Sequence, residues 1–282
     1  MRRDREESVM TDSVSLSSFG PWALVTGASS GIGREFARQL AARGFHVVLA
    51  SRRGHELESL GQELTRKWGT QYRAVEIDLT GAEAVATLDG ATRDLDVGLV
   101  ISNAGDASPG DFLASNLDEL RAIVGVNVLA QLDVAHHFGR RLAARKRGGL
   151  VLVGALSASD GVPFMANAAA TKAYVHSLGK ALHVELAKRG ITVTLLMPGP
   201  TATPALDKIG IENPPMKPMG VEQCVTEALQ ALAAGRAVSI PGRLNRVFSA
   251  LVPAALVRNR MAHMFETALK ARSLASGAGV AP

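Results

Sequence analysis

Thr26-Gly27-Ala28-Ser29-Ser30-Gly31-Ile32-Gly33 follows the short apolar run Trp22-Ala23-Leu24-Val25. It precedes an amphipathic stretch at 33–43, in which Phe36 and Leu40 lie four apart on one helical face. Buried strand, glycine-rich turn and helix are therefore expected in that order. Glycines permit the tight turn and let backbone approach a pyrophosphate, while a helix N-terminus offers free N–H donors and a favourable dipole. The local pattern thus points to a dinucleotide, with a structural turn as the simpler alternative.

The same alternation continues outward from this loop. Strands are expected at 46–50, 74–78, 97–102, 150–153, 191–196 and 237–240. Between them lie Leu57, Leu60 and Leu64 on a second helix, a helical region over 112–145 broken near Ser115–Asn116, and a long helix within 163–188. Strands joined by crossover helices run parallel with right-handed connections, and nearly continuous apolar strands lie in a sheet covered on both faces. The expected fold is α/β: a single doubly wound, Rossmann-type domain with a seven-stranded parallel sheet and helices on both faces, ligands sitting at the carboxyl ends of the strands.

The segments expected are an N-terminal mobile tail at 1–20 (Met10 being an alternative start), a domain at 21–243 and an amphipathic helical extension at 244–272. A disordered tail is expected at 273–282. Hydrophobic residues make up 47% of the 282 and charged residues 20%, ordinary for a globular chain. No apolar run is long enough for a membrane span, and the polar start lacks a secretion signal's core. The lone Cys224 excludes an internal disulfide and fits a reducing cytoplasm. Net charge is +5, but the basic residues are scattered and aromatics are 4%, which argues against nucleic acid. No metal site is expected.

Strand two ends in Ser51-Arg52-Arg53. An NAD site needs a carboxylate there for the ribose 2′-OH, whereas arginine can fork onto a 2′-phosphate. NADP(H) is the expected cofactor, with Arg52 as the main phosphate contact and Arg53 as the weaker one.

With these pieces in place, residues 21–240 resemble the short-chain dehydrogenase/reductase family. Thr26 to Gly33, including Gly27, Ser29, Ser30, Gly31, Ile32 and Gly33, resembles its TGxxxGxG loop. Asp78-Leu79 resembles the pair lining the adenine pocket. Ser102-Asn103-Ala104-Gly105 resembles NNAG, with serine for the first asparagine. Asn127 matches the helix asparagine of the catalytic tetrad. Pro198-Gly199-Pro200-Thr201-Ala202-Thr203 resembles the PG motif, whose threonine region, here Thr201 and Thr203, contacts the nicotinamide carboxamide. Lys172 matches the lysine of Tyr-x-x-x-Lys. The tyrosine position is then Ala168, and the serine position, thirteen residues earlier, is Ala155.

The resemblance implies hydride transfer between nicotinamide and a carbonyl or secondary alcohol. In the family, tyrosine donates the proton, serine bonds the same oxygen, lysine lowers the tyrosine pKa and holds the ribose, and asparagine anchors a water relay. Alanine has no donor, so the expectation is NADP(H) binding with impaired carbonyl chemistry. Tyr174 lies two residues from Lys172 and cannot share its helix face, and Tyr72 lies at the start of strand three. His176, four beyond Lys172, is expected to be a packed or hydrogen-bonded helix histidine. Ser157 and Ser159 are expected to be loop hydroxyls, with Ser157 a candidate partial replacement for the lost one. Two other readings are open: a hydride-transfer enzyme for alkenes or iminium ions, and a non-catalytic NADP(H)-binding sensor or scaffold.

Residues 204–220 correspond to the family's substrate lid, where Met216 and Met219 are candidates to line an apolar pocket. The expected partner is a small apolar carbonyl or alcohol. A homodimer or homotetramer is expected through the helices around 112–145 and 163–188. The basic amphipathic helices beyond 244 are expected to cover the pocket or pack on a subunit, membrane-surface contact being the less favoured alternative.

Overall fold

The computed structural model describes residues 15–156, 158–209 and 217–275, and the side chains of these except 159 and 270–275. Met10, Ser157, Met216 and the chain end at 276–282 lie outside the described residues.

Seven strands form one parallel sheet: β1 (Trp22–Thr26), β2 (His46–Ser51), β3 (Tyr72–Glu76), β4 (Val97–Ser102), β5 (Gly148–Val153), β6 (Ile191–Leu196) and β7 (Val238–Ser239). Their order is β3-β2-β1-β4-β5-β6-β7. β1 pairs with both β2 and β4, so the chain reverses its direction of travel across the sheet beside β1. A crevice opens at the carboxyl ends of strands at such a switch point.

Successive strand side chains go to opposite faces. Ala23, Val25, Val47, Leu49, Leu99 and Ile101 pack against α1 (Gly31–Ala41), α2 (Gly54–Trp68) and, further along, α8 (Val221–Ala233). Leu24, Val48 and Val100 face the other way, toward α3 (Ala84–Thr92), α5 (Ala130–Arg145) and α6 (Ala166–Ala187). That the central strands β1, β4 and β5 are buried along their whole length follows from this double coverage, whereas the edge strand β3 carries Arg73 and Glu76.

Several expectations shift. The third strand runs 72–76 rather than 74–78. The helical region starts at α4 (Leu117–Val124), because the Asn116 side chain accepts from the Asp118 N–H and caps it. The helices α3 and α8 were not anticipated. α3 is short and carries Gly90, so its apolar signal is weak. The N-terminal boundary at 21 also moves, since Leu16–Phe19 forms a 3₁₀ turn and Phe19 is 3% exposed. Gly98 and Gly149 allow this, because a Cβ at either would strike Phe19.

Beyond β6 come α7 (Pro204–Ile209) and α8, and beyond β7 come α9 (Arg243–Leu251) and α10 (Ala254–Ala275). α10 remains helical to Ala275, three residues past the expected end at 272. No helix among the described residues is long and apolar enough to cross a membrane.

Candidate functional site

The ends of β1 and β4 are laced together around the glycine loop. The Thr26 hydroxyl accepts the backbone N–H of Asn103 (2.9 Å) and Ala104 (3.0 Å), and the Asn103 side-chain amide donates to the Thr26 carbonyl (2.9 Å). Gly27 has φ +65° and Gly31 φ +53°. At Gly33 a Cβ would drive into the Gly27 carbonyl and the Asn103 amide. Only glycine lets α1 begin this close to the turn, which leaves its first-turn amides beside the crevice.

Arg53, expected to be the weaker phosphate contact, is the arginine that reaches this loop. Its guanidinium donates to the Ser29 hydroxyl (2.8 Å) and the Ser30 hydroxyl (2.7 Å). Arg52 is exposed. It acts on Asp78, whose carboxyl is held below the usual range chiefly by hydrogen bonds from the Thr80 backbone and hydroxyl, then by Arg52. Leu79 packs against the second face of the core. A serine stands where β2 ends, so no carboxylate of that strand meets an incoming phosphate.

Deeper in the crevice the helix of α4 and α5 is interrupted by a π-helical turn, Gly125–Leu129, with Asn127 fully buried on it. Asn127 grips the backbone of Asp106 twice: its Oδ1 accepts the Asp106 N–H (2.9 Å) and its Nδ2 donates to the Asp106 carbonyl (2.8 Å). Nδ2 also donates to Thr171 Oγ1 (2.9 Å), and that hydroxyl donates to the Ala168 carbonyl (2.6 Å). Lys172 donates from Nζ to the Val153 carbonyl (3.0 Å). Gly105 sits where these groups converge: a Cβ there would lie 2.8 Å from Asn127 Oδ1 and 3.0 Å from Lys172 Nζ. Burial pushes the Lys172 ammonium down to about 8.

One turn before Lys172 stands Ala168, 6% exposed. The Ala155 N–H donates to His176 Nε2 (3.3 Å). Burial is the main reason His176 falls to about 4, with Lys180 and Lys172 adding to it, so the ring is neutral at pH 7. Tyr174 is exposed, and the Tyr72 hydroxyl donates to Glu58 (2.8 Å). Neither tyrosine belongs to this cluster. Gln131 was missed from sequence; its side-chain amide shares the Val153 carbonyl with Lys172 (3.3 Å). It lies four residues beyond Asn127, a spacing that could have flagged it.

The loop after β6 closes the crevice. Thr203 lies against Gly31, where a Cβ would be 3.2 Å from Thr203 Cγ2. Thr201 donates to the Gly199 carbonyl (2.9 Å), and Pro198 accepts the Leu156 N–H (2.9 Å). Lys208 on α7 pairs with Asp106 (2.7 Å), linking the expected lid to the loop that Asn127 holds. Val162, Ala169 and Phe265 form an apolar cluster with Phe164, Met165, Ile209, Met261 and Met264 around it. Met219 packs instead on the main core and Asn245. The described residues hold no group of three metal-binding side chains.

Comparison with known proteins agrees with this layout. The family described as short chain dehydrogenase matches residues 21–213. A very-long-chain 3-oxoacyl-CoA reductase of Podospora anserina is 35% identical over 219 residues, covering 69% of this chain and 64% of that protein. The chain therefore spans rather less than two thirds of the fungal relatives' length. A 7beta-hydroxysteroid dehydrogenase of Collinsella aerofaciens is 30% identical over 237 residues, covering 81% of this chain and 88% of that protein. The solved short-chain dehydrogenase from Sphingobium yanoikuyae in complex with NADPH is 30% identical with TM-score 0.76, covering 82% of this chain and 92% of that one. The family match over residues 21–213 and the relative 30% identical across 81% of this chain show that the chain belongs to the short chain dehydrogenase family.

Proposed function

We propose that this chain is an NADP(H)-binding oxidoreductase scaffold for apolar carbonyl or secondary-alcohol substrates, impaired in proton transfer because Ala155 and Ala168 occupy the serine and tyrosine positions. The observation that carries this reading is the cluster itself. Asn127 and Lys172 are held in place, while the residue one turn before the lysine ends in a methyl group.

The cradle fits a dinucleotide. Gly27 and Gly33 let the loop backbone pack directly on the end of β4 where any Cβ would clash, and Arg53 lies on the two loop serines beside the end of β2. Ser29, Ser30 and the first amides of α1 would hold the pyrophosphate, and Arg52 and Arg53 the 2′-phosphate. Asp78 and Leu79 would flank the adenine. Asn103, Ala104, Gly105, Lys172, Gly199, Thr201 and Thr203 would line the nicotinamide half. Bound NADPH would supply the hydride. Lys172 would exchange its bond to the Val153 carbonyl for ribose hydroxyls, at little cost because it already donates to a neutral oxygen.

What these residues lack is a donor for a substrate oxygen. A general acid is worth about 10²–10⁴-fold in rate. An oxyanion donor is worth about 10²–10³-fold, and the two do not simply multiply. The oxoacyl-CoA and hydroxysteroid names of the relatives support a substrate with a large apolar part.

The test is the double variant A155S/A168Y, assayed by single-turnover NADPH oxidation with a panel of apolar ketones. The expected result is a gain of about 10²–10⁴-fold over the parent chain. Unchanged turnover in a variant that still binds NADPH overturns the impaired-reductase reading. Failure of the parent chain to bind NADPH overturns the cofactor assignment.

A further inference from the structure

Among the large hydrophobic side chains exposed in the described residues, Leu244 (78%), Val247 (54%), Leu251 (76%) and Leu256 (61%) fall in one short stretch. At about 100° per residue, Leu244, Val247 and Leu251 share one stripe of α9. The helix cannot roll to hide them. On its inner side Asn245 is buried, donating to the Pro241 carbonyl (2.7 Å) and packed so closely on Gly199 that a Cβ there would lie 2.6 Å from Asn245 Oδ1. Arg246 pairs with Glu227 (2.8 Å), which also accepts the Gly242 N–H (3.0 Å) and so fixes the start of the helix.

Charge accompanies this apolar stripe. From Arg243 to Phe265 the chain carries Arg243, Arg246, Arg258 and Arg260 and no Asp or Glu. Among the described residues Arg246 is the one of the four paired with a carboxylate, and Arg258 donates to the Asp160 carbonyl. Arg243, Arg258 and Arg260 are exposed.

We propose that α9 and the first turns of α10 form a docking face for an anionic lipid surface. Exposed leucines and valine would enter the acyl boundary and the arginines would meet the headgroups, as in helices that lie in the interface plane. A second copy of this chain is the competing occupant. A two-fold contact would set this net-basic face against itself, with Arg243 and Arg260 exposed on it, and like charges brought together across an interface are costly. The net positive charge beside exposed leucines therefore favours an anionic lipid surface.

The experiment is vesicle flotation of the full chain with phosphatidylcholine vesicles, with and without phosphatidylserine. The expected result is binding to the anionic vesicles, at least about tenfold weaker to neutral ones and weakened by salt. The variant L244S/V247S/L251S is expected to lose binding to both. R243E/R260E is expected to lose about tenfold or more on anionic vesicles, with unchanged melting temperature. A matched reversal elsewhere, R66E/K188E, is expected to lose far less. No binding to anionic vesicles overturns the proposal, as does an equal loss in R66E/K188E, which would mean a general charge effect. So does a sedimentation-velocity experiment in which L244S/V247S/L251S breaks up an oligomer, since a second copy would then cover the face.

Discussion

His176 shows how one buried side chain ties the site to the stability of the chain. Unfolded, it titrates near its usual 6.5; folded, burial lowers it to about 4. The unfolded chain binds the extra proton in between, so stability is lost as pH falls from about 6.5 toward 4. Urea midpoints measured across this window should drop less steeply in His176→Gln than in the parent. Lys172 acts in another window. Its folded value near 8 lies below the usual 10.5, so the unfolded state holds more protons between the two and stability rises with pH there. Lys172→Met should flatten that rise in the same assay. Gly33→Ala tests the cradle: the added methyl meets the Gly27 carbonyl, an over-packing cost of about 1–3 kcal/mol. A lowered melting temperature and a large loss of NADPH affinity by calorimetry are the expected outcome.

At the scale of elements, the π-helical turn at 125–129 turns Asn127 toward Asp106 and Thr171 and makes three segments one unit. Asn127→Ala would leave the Asp106 N–H and carbonyl without their partner. About 1–3 kcal/mol of destabilisation is expected, read as a lower urea midpoint. The motif Val126-Asn127-Val128 was legible in the sequence, but the π turn was not. An extra residue in a helical turn leaves no mark on an apolar repeat this short, and its stabilising bonds go to residues 21 and 44 positions away. The break near Ser115–Asn116 was legible, but the start at 112 was not: the helix begins only where the Asn116 side chain meets the Asp118 N–H. Sequence alone ranked Arg53 below Arg52, and only the fold brings Ser29 and Ser30, 24 and 23 residues earlier, beneath Arg53.

For the molecule as a whole, a ligand that binds only the folded state stabilises it. At a hundredfold excess over Kd the gain is about 2.7 kcal/mol. NADPH should therefore raise the melting temperature more than NADH does at equal concentration. In Arg53→Glu that difference should shrink or reverse, because a carboxylate would repel the 2′-phosphate. By itself the sequence determined the alternation of strands and helices, the double coverage of the sheet and the glycine loop. These rest on local periodicity and on backbone angles only glycine takes easily, and both are properties of neighbours in the chain. Tertiary structure decided which arginine lies on the loop, how Gln131 and Lys172 come to share one carbonyl, how Phe19 joins the core, and that Lys208 reaches Asp106 across 102 residues. Such contacts depend on how seven strands stack side by side, an arrangement no short window of residues contains.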